Sequence, residues 1–443
     1  MNYFQRQIAS WRQDNLLHKV LRNTGYLFAG NTLSTVVQSI FAARLLGVLG
    51  FGILGTVISL ASNVNRLLSF RMGELVVKYV GEYLAQEKKE QAAAVFKAAL
   101  LMEAATSIIA YLLLLLIAPL AATYIVKDPT SIPLFTYYGL ALLANFATES
   151  ATGLLQVGDH FRSQAVINLI QSLLTAGLIV YAYLVQGSIW MVLTAYLVGK
   201  TVNGLALAGY ALWRARDILG RNWWRVPFKQ LPLQGKFLRF AISTNLSGTV
   251  NLITRDSEVI WVAYFLSPLE AGYYKLALAV INLVVMPITP FINTSFPEIT
   301  RAVAQNAWAR LRGLLKKLTL ISAAWTFGVT AVLAVAGSWL IAFFYGVAFV
   351  PAIWAVLILL IGYGCANIFF WNRNLLLAFG DAEYPLKAMA VAGIAKISLA
   401  FFLVPRYGYL MEAGLLSAFF VISIGLIVWR GMRLIHRQTE AVP

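Results

Sequence analysis

The sequence predicts an all-α polytopic membrane protein: about twelve transmembrane helices in two six-helix lobes, with the N-terminus and the C-terminus both cytoplasmic. Three observations carry that expectation. Of the 443 residues, 60% are hydrophobic and only 12% charged, with a mean hydropathy of +0.74, whereas soluble domains carry roughly 25% charged residues. Apolar runs long enough to cross a hydrocarbon core of roughly 30 Å, about 20 residues rising 1.5 Å each, recur along the whole chain. The basic residues fall between those runs, on alternate connections.

The runs cover 26–45, 51–70, 95–118, 132–157, 166–185 and 190–212, then 240–263, 271–296, 318–344, 351–379, 386–404 and 413–429. Cytoplasmic loops retain lysine and arginine during insertion. With the N-terminus inside, the tail, alternate loops and C-terminus hold about 27 of the 35 basic residues, against about four outside, which sets the topology. The chain then divides into a basic cytoplasmic segment at 1–24, a first lobe at 25–213, a basic inter-lobe loop at 214–237, a second lobe at 238–430 and a cytoplasmic tail at 431–443. Phe4, Ile8, Trp11, Leu17 and Leu21 share one face of an expected interfacial helix in the first segment. Trp223, Trp224 and Phe228 stand among arginines in the loop, as interfacial anchors of a positive-inside linker do.

Several function classes drop out. The net charge of +17 is spread over loops, with no nucleic-acid-binding motif or soluble basic face. A single cysteine, Cys365, builds neither a disulfide framework nor a cysteine metal site. His18, His160 and His436 fall in predicted cytoplasmic segments without ligand-spaced partners, so no metal site and no cofactor are expected. No P-loop is present to make the chain an ATP-driven pump by itself.

A charge at the bilayer centre costs about 2.5–3.5 kcal/mol on insertion scales, so each in-span charge must face a cavity, pair, or reach an interface. In the seventh run Asn251, Arg255 and Glu258 recur at helical spacing on one polar stripe, with Asp256 beside it. Arg255 is either held by a neighbouring carboxylate or open to an anion. Arg66 and Arg373 lie near the inner ends of their runs among asparagines. Lys396 sits mid-run between small residues that let another helix approach, and Glu149 lies in the fourth run. Of the in-span charges singled out, four are basic (Arg66, Arg255, Arg373, Lys396) and three acidic (Glu149, Asp256, Glu258), a slight tilt toward an anionic ligand. Asn31, Ser34, Thr35 and Gln38 form a stripe on the first run, echoed by Asn245 and Thr249 in the seventh; such residues either glue helices together or line a cavity. Pro287 and Pro290 are expected to bend the eighth run.

The two halves show a weak ordered repeat, parallel because each half begins inside. Asn31-Thr32-Leu33-Ser34 is matched by Thr244-Asn245-Leu246-Ser247, and each is followed by a short glycine-containing outer turn. Ala43-Arg44-Leu45-Leu46-Gly47 to Phe51-Gly52, Asp256 with Tyr264-Phe265-Leu266-Ser267-Pro268 to Gly272-Tyr273-Tyr274, Phe296-Pro297-Glu298 and Pro405-Arg406-Tyr407-Gly408 come in the order seen in one family. In these pieces, spread over nearly the whole chain, the sequence resembles the oligosaccharide flippases of the Wzx type. They belong to the multidrug/oligosaccharidyl-lipid/polysaccharide (MOP) superfamily, with the lipid II flippases and the MATE drug exporters.

The resemblance implies a transporter rather than an enzyme, in a bacterial cytoplasmic (inner) membrane. It would carry an undecaprenyl-diphosphate-linked oligosaccharide to the outer leaflet by alternating access, for O-antigen, capsule or exopolysaccharide assembly. The expected partners are that lipid, the surrounding membrane lipids and a polysaccharide polymerase, with no nucleic acid. Under that expectation Arg255, Arg66, Arg373 and Lys396 bind the diphosphate, guanidinium being suited to phosphate oxygens. Asp256, Glu149 and Glu258 are then candidates for coupling to a proton or sodium gradient, and Asn31, Gln38, Asn245 and Asn251 for lining the cavity. Two rivals remain: a MATE-type drug or cation exporter of the same fold, and a membrane glycan polymerase or ligase, which the short outer connections disfavour.

Overall fold

The computed structural model describes residues 15–69, 71–231, 249, 251–381 and 383–440. Every regular element among them is helical. The long helices are α1 (Asn15–Leu68), α2 (Lys89–Leu120), α3 (Ile132–Ala144), α4 (Thr148–Val157), α5 (Phe161–Leu184) and α6 (Ile189–Leu219). After the inter-lobe segment come α7 (Glu258–Phe265), α8 (Pro268–Val285), α9 (Thr289–Ala304), α10 (Trp308–Phe344), α11 (Ala352–Ile368), α12 (Asn372–Ala378), α13 (Glu383–Tyr407) and α14 (Tyr409–Glu440). Nine helices among the described residues are long and apolar enough to cross a membrane.

The difference between nine and the expected twelve has a local cause in each case. The first two runs form one continuous stretch, Gly30–Ala85, because the turn between them is a single break inside α1 at Gly47 (φ 64°, ψ −176°). That backbone is left-handed and open to glycine at little cost. The fourth run is split by a turn at 145–147 into α3 and α4, each too short to span alone. The seventh run is interrupted by a π-helical turn at Leu252–Asp256 before α7. The eighth run is among the nine as far as Ile288, and it is bent as its prolines require: α8 ends at Val285, a 3₁₀ turn runs Met286–Ile288, and α9 follows. The expected interfacial face at Phe4, Ile8 and Trp11 lies outside the described residues, as does Asn245. The last helix continues to Glu440, through most of the segment expected as a tail.

The chain forms two compact units. The first comprises Met1–Leu45, Val64–Pro119 and Ile132–Gly248; the second comprises Leu46–Asn63, Leu120–Ser131 and Thr249–Pro443. The core of the first unit is Leu75, Val76, Phe96, Ala151, Leu154, Leu155 and Ala211, all essentially inaccessible. The basic segment after α6 folds back onto α2. Lys97 donates to the carbonyls of Trp224 (2.9 Å) and Val226 (2.7 Å) and lies over the Phe228 ring, while Arg225 lies over Trp224. In the second unit Gly52 and Gly272 let spans two and eight touch: a Cβ on Gly52 would stand 1.8 Å from the Pro268 carbonyl oxygen. Large apolar side chains such as Leu116, Val335, Trp339 and Ile361 point outward, as lipid-facing groups do.

Candidate functional site

In the first unit, polar chemistry gathers at the break between α3 and α4. The first turn of α4 leaves backbone N–H groups without intrahelical acceptors. Glu103, buried on α2, fills the gap: its Oε1 accepts from Glu149 N at 2.7 Å and its Oε2 from Ser150 N at 2.8 Å. Glu149, expected to be the buried acid, is only partly buried; its carboxylate accepts a hydrogen bond from Ser69 at 2.8 Å. The expectation is corrected because the carboxylate at depth is Glu103, and the acid count in the spans was one short.

Gln38 is buried and donates to the Ser172 carbonyl oxygen at 2.9 Å and to its Oγ at 3.2 Å. It therefore joins α1 to α5 and does not line an open space. Asn31 is partly exposed, and its backbone carbonyl accepts from Thr35 and Ser172. Arg66, in the last turn of α1, is exposed. It lies close enough to Lys200 on α6 for the two charges to repel. Lys200 is exposed as well, and it makes no ion pair with any described residue.

The second unit holds a different arrangement. The π turn at Leu252–Asp256 and the off-helix backbone of Ser257 (φ −97°, ψ 12°) break the expected stripe, because the wider turn shifts the following residues around the axis. Ser257 bonds back to the Leu252 carbonyl at 2.8 Å and receives the Asn63 amide at 2.9 Å. Arg255 is 39% exposed and pairs with its neighbour Asp256, Nε to Oδ1, at 3.1 Å. Asn251 is partly buried at the start of the turn. Glu258 leaves that face altogether and is 1% exposed.

Four groups meet there. The Lys396 ammonium binds the Glu258 carboxylate, lies 3.0 Å from Glu412 Oε1 and reaches the Thr254 carbonyl oxygen at 3.3 Å. Tyr274 donates to Glu258 Oε2 at 3.0 Å. Gly393, one turn before Lys396, makes the approach feasible: a Cβ there would stand 2.2 Å from Thr254 Cγ2. Lys396 was expected on an anion; it is buried instead between two carboxylates, and the diphosphate role is withdrawn from it. Arg373, in the first turn of α12, is exposed and makes no ion pair with the described residues. Its neighbours are tied down, Trp371 to Thr319 and Asn374 to the Ile292 carbonyl.

Five charged or polar groups were missed by sequence reasoning. Glu103 and Lys200 each stand alone in an apolar run, and the in-span cost that singles out Glu149 applies to both. Lys275, two turns into α8, has its ammonium 4.1 Å from the Phe51 ring centroid, a cation held on an aromatic face. Glu412 falls one residue before the last apolar run, and Tyr274 carries no charge to attract notice. Among the described residues no group of three or more His, Cys, Asp or Glu side chains is arranged to hold a metal.

Bundles of spanning helices with charges set inside each unit define a multi-pass helical membrane protein. The comparisons agree. Residues 41–354 match the family described as "Polysaccharide biosynthesis protein", and the chain belongs to that family. It is 23% identical over 354 residues, 78% of this chain and 98% of the other, to the inner membrane protein YghQ of Escherichia coli (strain K12). Two solved structures share the fold. One is the lipid II flippase MurJ in an inward closed conformation, with TM-score 0.74, 13% identity and coverage of 94% of this chain and 89% of that one. The other is an inward-facing multidrug resistance MATE family transporter of the MOP superfamily, with TM-score 0.71, 14% identity and coverage of 93% and 96%. The protein is thus a multi-pass helical membrane protein of a polysaccharide-biosynthesis family, with the fold of the MurJ and MATE structures.

Proposed function

We propose that the protein moves a polyprenyl-diphosphate-linked oligosaccharide from the cytoplasmic to the outer leaflet by alternating access, with both chain termini cytoplasmic and no catalytic chemistry of its own. One observation carries the reading: the in-span acids are engaged while cations stay accessible. Glu103 is bound to backbone N–H groups, Glu149 to Ser69, Asp256 to Arg255, and Glu258 and Glu412 to Lys396. Lys200 and Arg373 are exposed within their spans and make no ion pair with described residues. That balance suits an anionic headgroup and opposes a cationic substrate.

In this reading the candidate diphosphate contacts are Arg66 and Lys200 within the first unit and, separately, Arg255 and Arg373 within the second, while the polyprenyl tail stays in lipid. Asn251 and Asn31 remain candidates for meeting sugar hydroxyls. The product feeds surface polysaccharide assembly, where a polymerase is the natural neighbour. Arg255→Ala, Arg373→Ala and Lys200→Met are each expected to lower surface glycan about tenfold or more at normal membrane abundance, since a charge-assisted contact is worth about 1.5–3 kcal/mol. Arg255→Lys should retain part of the activity, keeping charge without the planar fork. Unchanged glycan in all three loss variants at normal abundance would reject the assignment.

A further inference from the structure

The basic segment that follows α6 has an anchored inner side and an unpartnered outer one. Residues 213–230 carry five cations, Arg214, Arg216, Arg221, Arg225 and Lys229, against one acid, Asp217. Two short 3₁₀ turns, Trp223–Arg225 and Phe228–Gln230, sort the side chains between the two sides. Trp223, Val226 and Leu231 pack on the core of the first unit, the Trp223 ring centroid 5.5 Å from that of Phe96. Trp224 and Phe228 face outward, 55% and 46% exposed, beside the exposed Arg225 and Lys229.

The outer side is held in place from beneath, where Lys97 on α2 donates to the carbonyls of Trp224 and Val226, and Pro227 has a fixed φ of its own. The acids in contact with the segment are engaged: Asp217 is paired with Arg214 at 3.1 Å, and Glu90 accepts from Gln230 Nε2 at 3.0 Å. Arg216, Arg221, Arg225 and Lys229 make no ion pair with a described residue. Position decides what such a surface meets. The helix α6 is long and apolar enough to span, and its outward Leu205 and Leu212 give way to Trp213 and Arg216 just before the segment begins. Apolar, then aromatic, then basic is the order of groups from hydrocarbon into the headgroup layer.

We propose that this surface is a binding site for acidic phospholipid headgroups of the adjoining leaflet. Arg221, Arg225 and Lys229 meet the phosphate oxygens, to which the guanidinium fork is suited, while Trp224 and Phe228 lie among the first methylenes of the chains. Because Trp223, Val226 and Lys97 already fix the turns, binding orders little new structure. Continuity with the lipid-facing side of α6 favours a membrane occupant over a soluble acidic one. The inference needs a bilayer around the spans, but neither the direction of insertion nor the identity of the transported molecule.

Native mass spectrometry of the full-length protein in detergent tests it, with phosphatidylglycerol and phosphatidylcholine of the same acyl chains as probes. A cation near an acidic lipid surface contributes about fivefold in affinity, so the wild type should hold phosphatidylglycerol about tenfold or more tighter than phosphatidylcholine. A variant with Arg221→Gln, Arg225→Gln and Lys229→Gln should lose that preference, and one with Arg221→Lys and Arg225→Lys should retain it. Both should unfold at the wild-type temperature, since the three side chains are exposed. Removing as many exposed cations from α10, with Arg312→Gln, Lys316→Gln and Lys317→Gln, should leave the preference in place. Trp224→Ala with Phe228→Ala should weaken both lipids alike. No preference in the wild type, or an equal loss in the two glutamine variants, overturns the proposal. Capture of soluble poly-aspartate as tightly as phosphatidylglycerol, lost with the same three substitutions, also overturns it and gives the surface to a soluble acidic partner.

Discussion

Glu103 in the first unit and the Glu258–Glu412 pair in the second are buried acids that solve the same problem differently. Glu103 is satisfied by two backbone N–H groups at the start of α4, a fixed partner set at a helix end that favours negative charge. Glu258 and Glu412 depend on a lysine from a third helix. The first arrangement holds a broken span in place; the second ties three helices together through one buried cation. The contrast is between an acid satisfied by a neighbouring helix end and a pair of acids that needs a charged partner.

The largest expected effect comes from breaking the second arrangement. Lys396→Met leaves two acids without their cation and should destabilise the protein by about 3–5 kcal/mol, read as a lowered unfolding transition in detergent. Adding Glu258→Gln and Glu412→Gln to that variant should restore much of the loss. Glu103→Ala should cost about 1–3 kcal/mol for each orphaned N–H, and no second substitution of an acid should rescue it. A full rescue there would erase the distinction between the two sites.

Gly393→Val sharpens the comparison from the packing side. Its side chain collides with Thr254, so about 1–3 kcal/mol of strain is expected. Because it displaces span seven from α13, the contacts of Lys396 with Glu258 and the Thr254 carbonyl should weaken, read as a lowered unfolding transition in detergent. The smallest effect belongs to Gln38→Leu, whose lost bond to Ser172 is an ordinary helix-to-helix link. Such links average about 0.6 kcal/mol in a membrane, and transport should be nearly unchanged in a liposome flipping assay.

Much of the fold was legible because hydrophobic length and loop charge are one-dimensional signals, and the prolines at 287 and 290 bend the chain where they stand. The breaks at 145–147 and at the π turn were not legible, since the start of α4 is held by Glu103 and Ser257 by Asn63, partners far along the chain. In the site, the depth of Lys396 and the small residues around it could be read directly. Its partners could not: Glu412 looked like a loop residue by its position in the sequence, and the π turn rotated Glu258 off the stripe it seemed to share with Arg255.

The most direct test of the account is leaflet movement in proteoliposomes of three probes with the same polyprenyl tail, ending in a diphosphate disaccharide, a disaccharide without phosphate, or a cationic headgroup. The wild type should move the diphosphate probe well above the protein-free rate and leave the other two near it, and a Lys200→Met, Arg373→Ala double variant should fall to the protein-free rate. Equal movement of the phosphate-free probe, or preference for the cationic one, would contradict an anion-binding transporter.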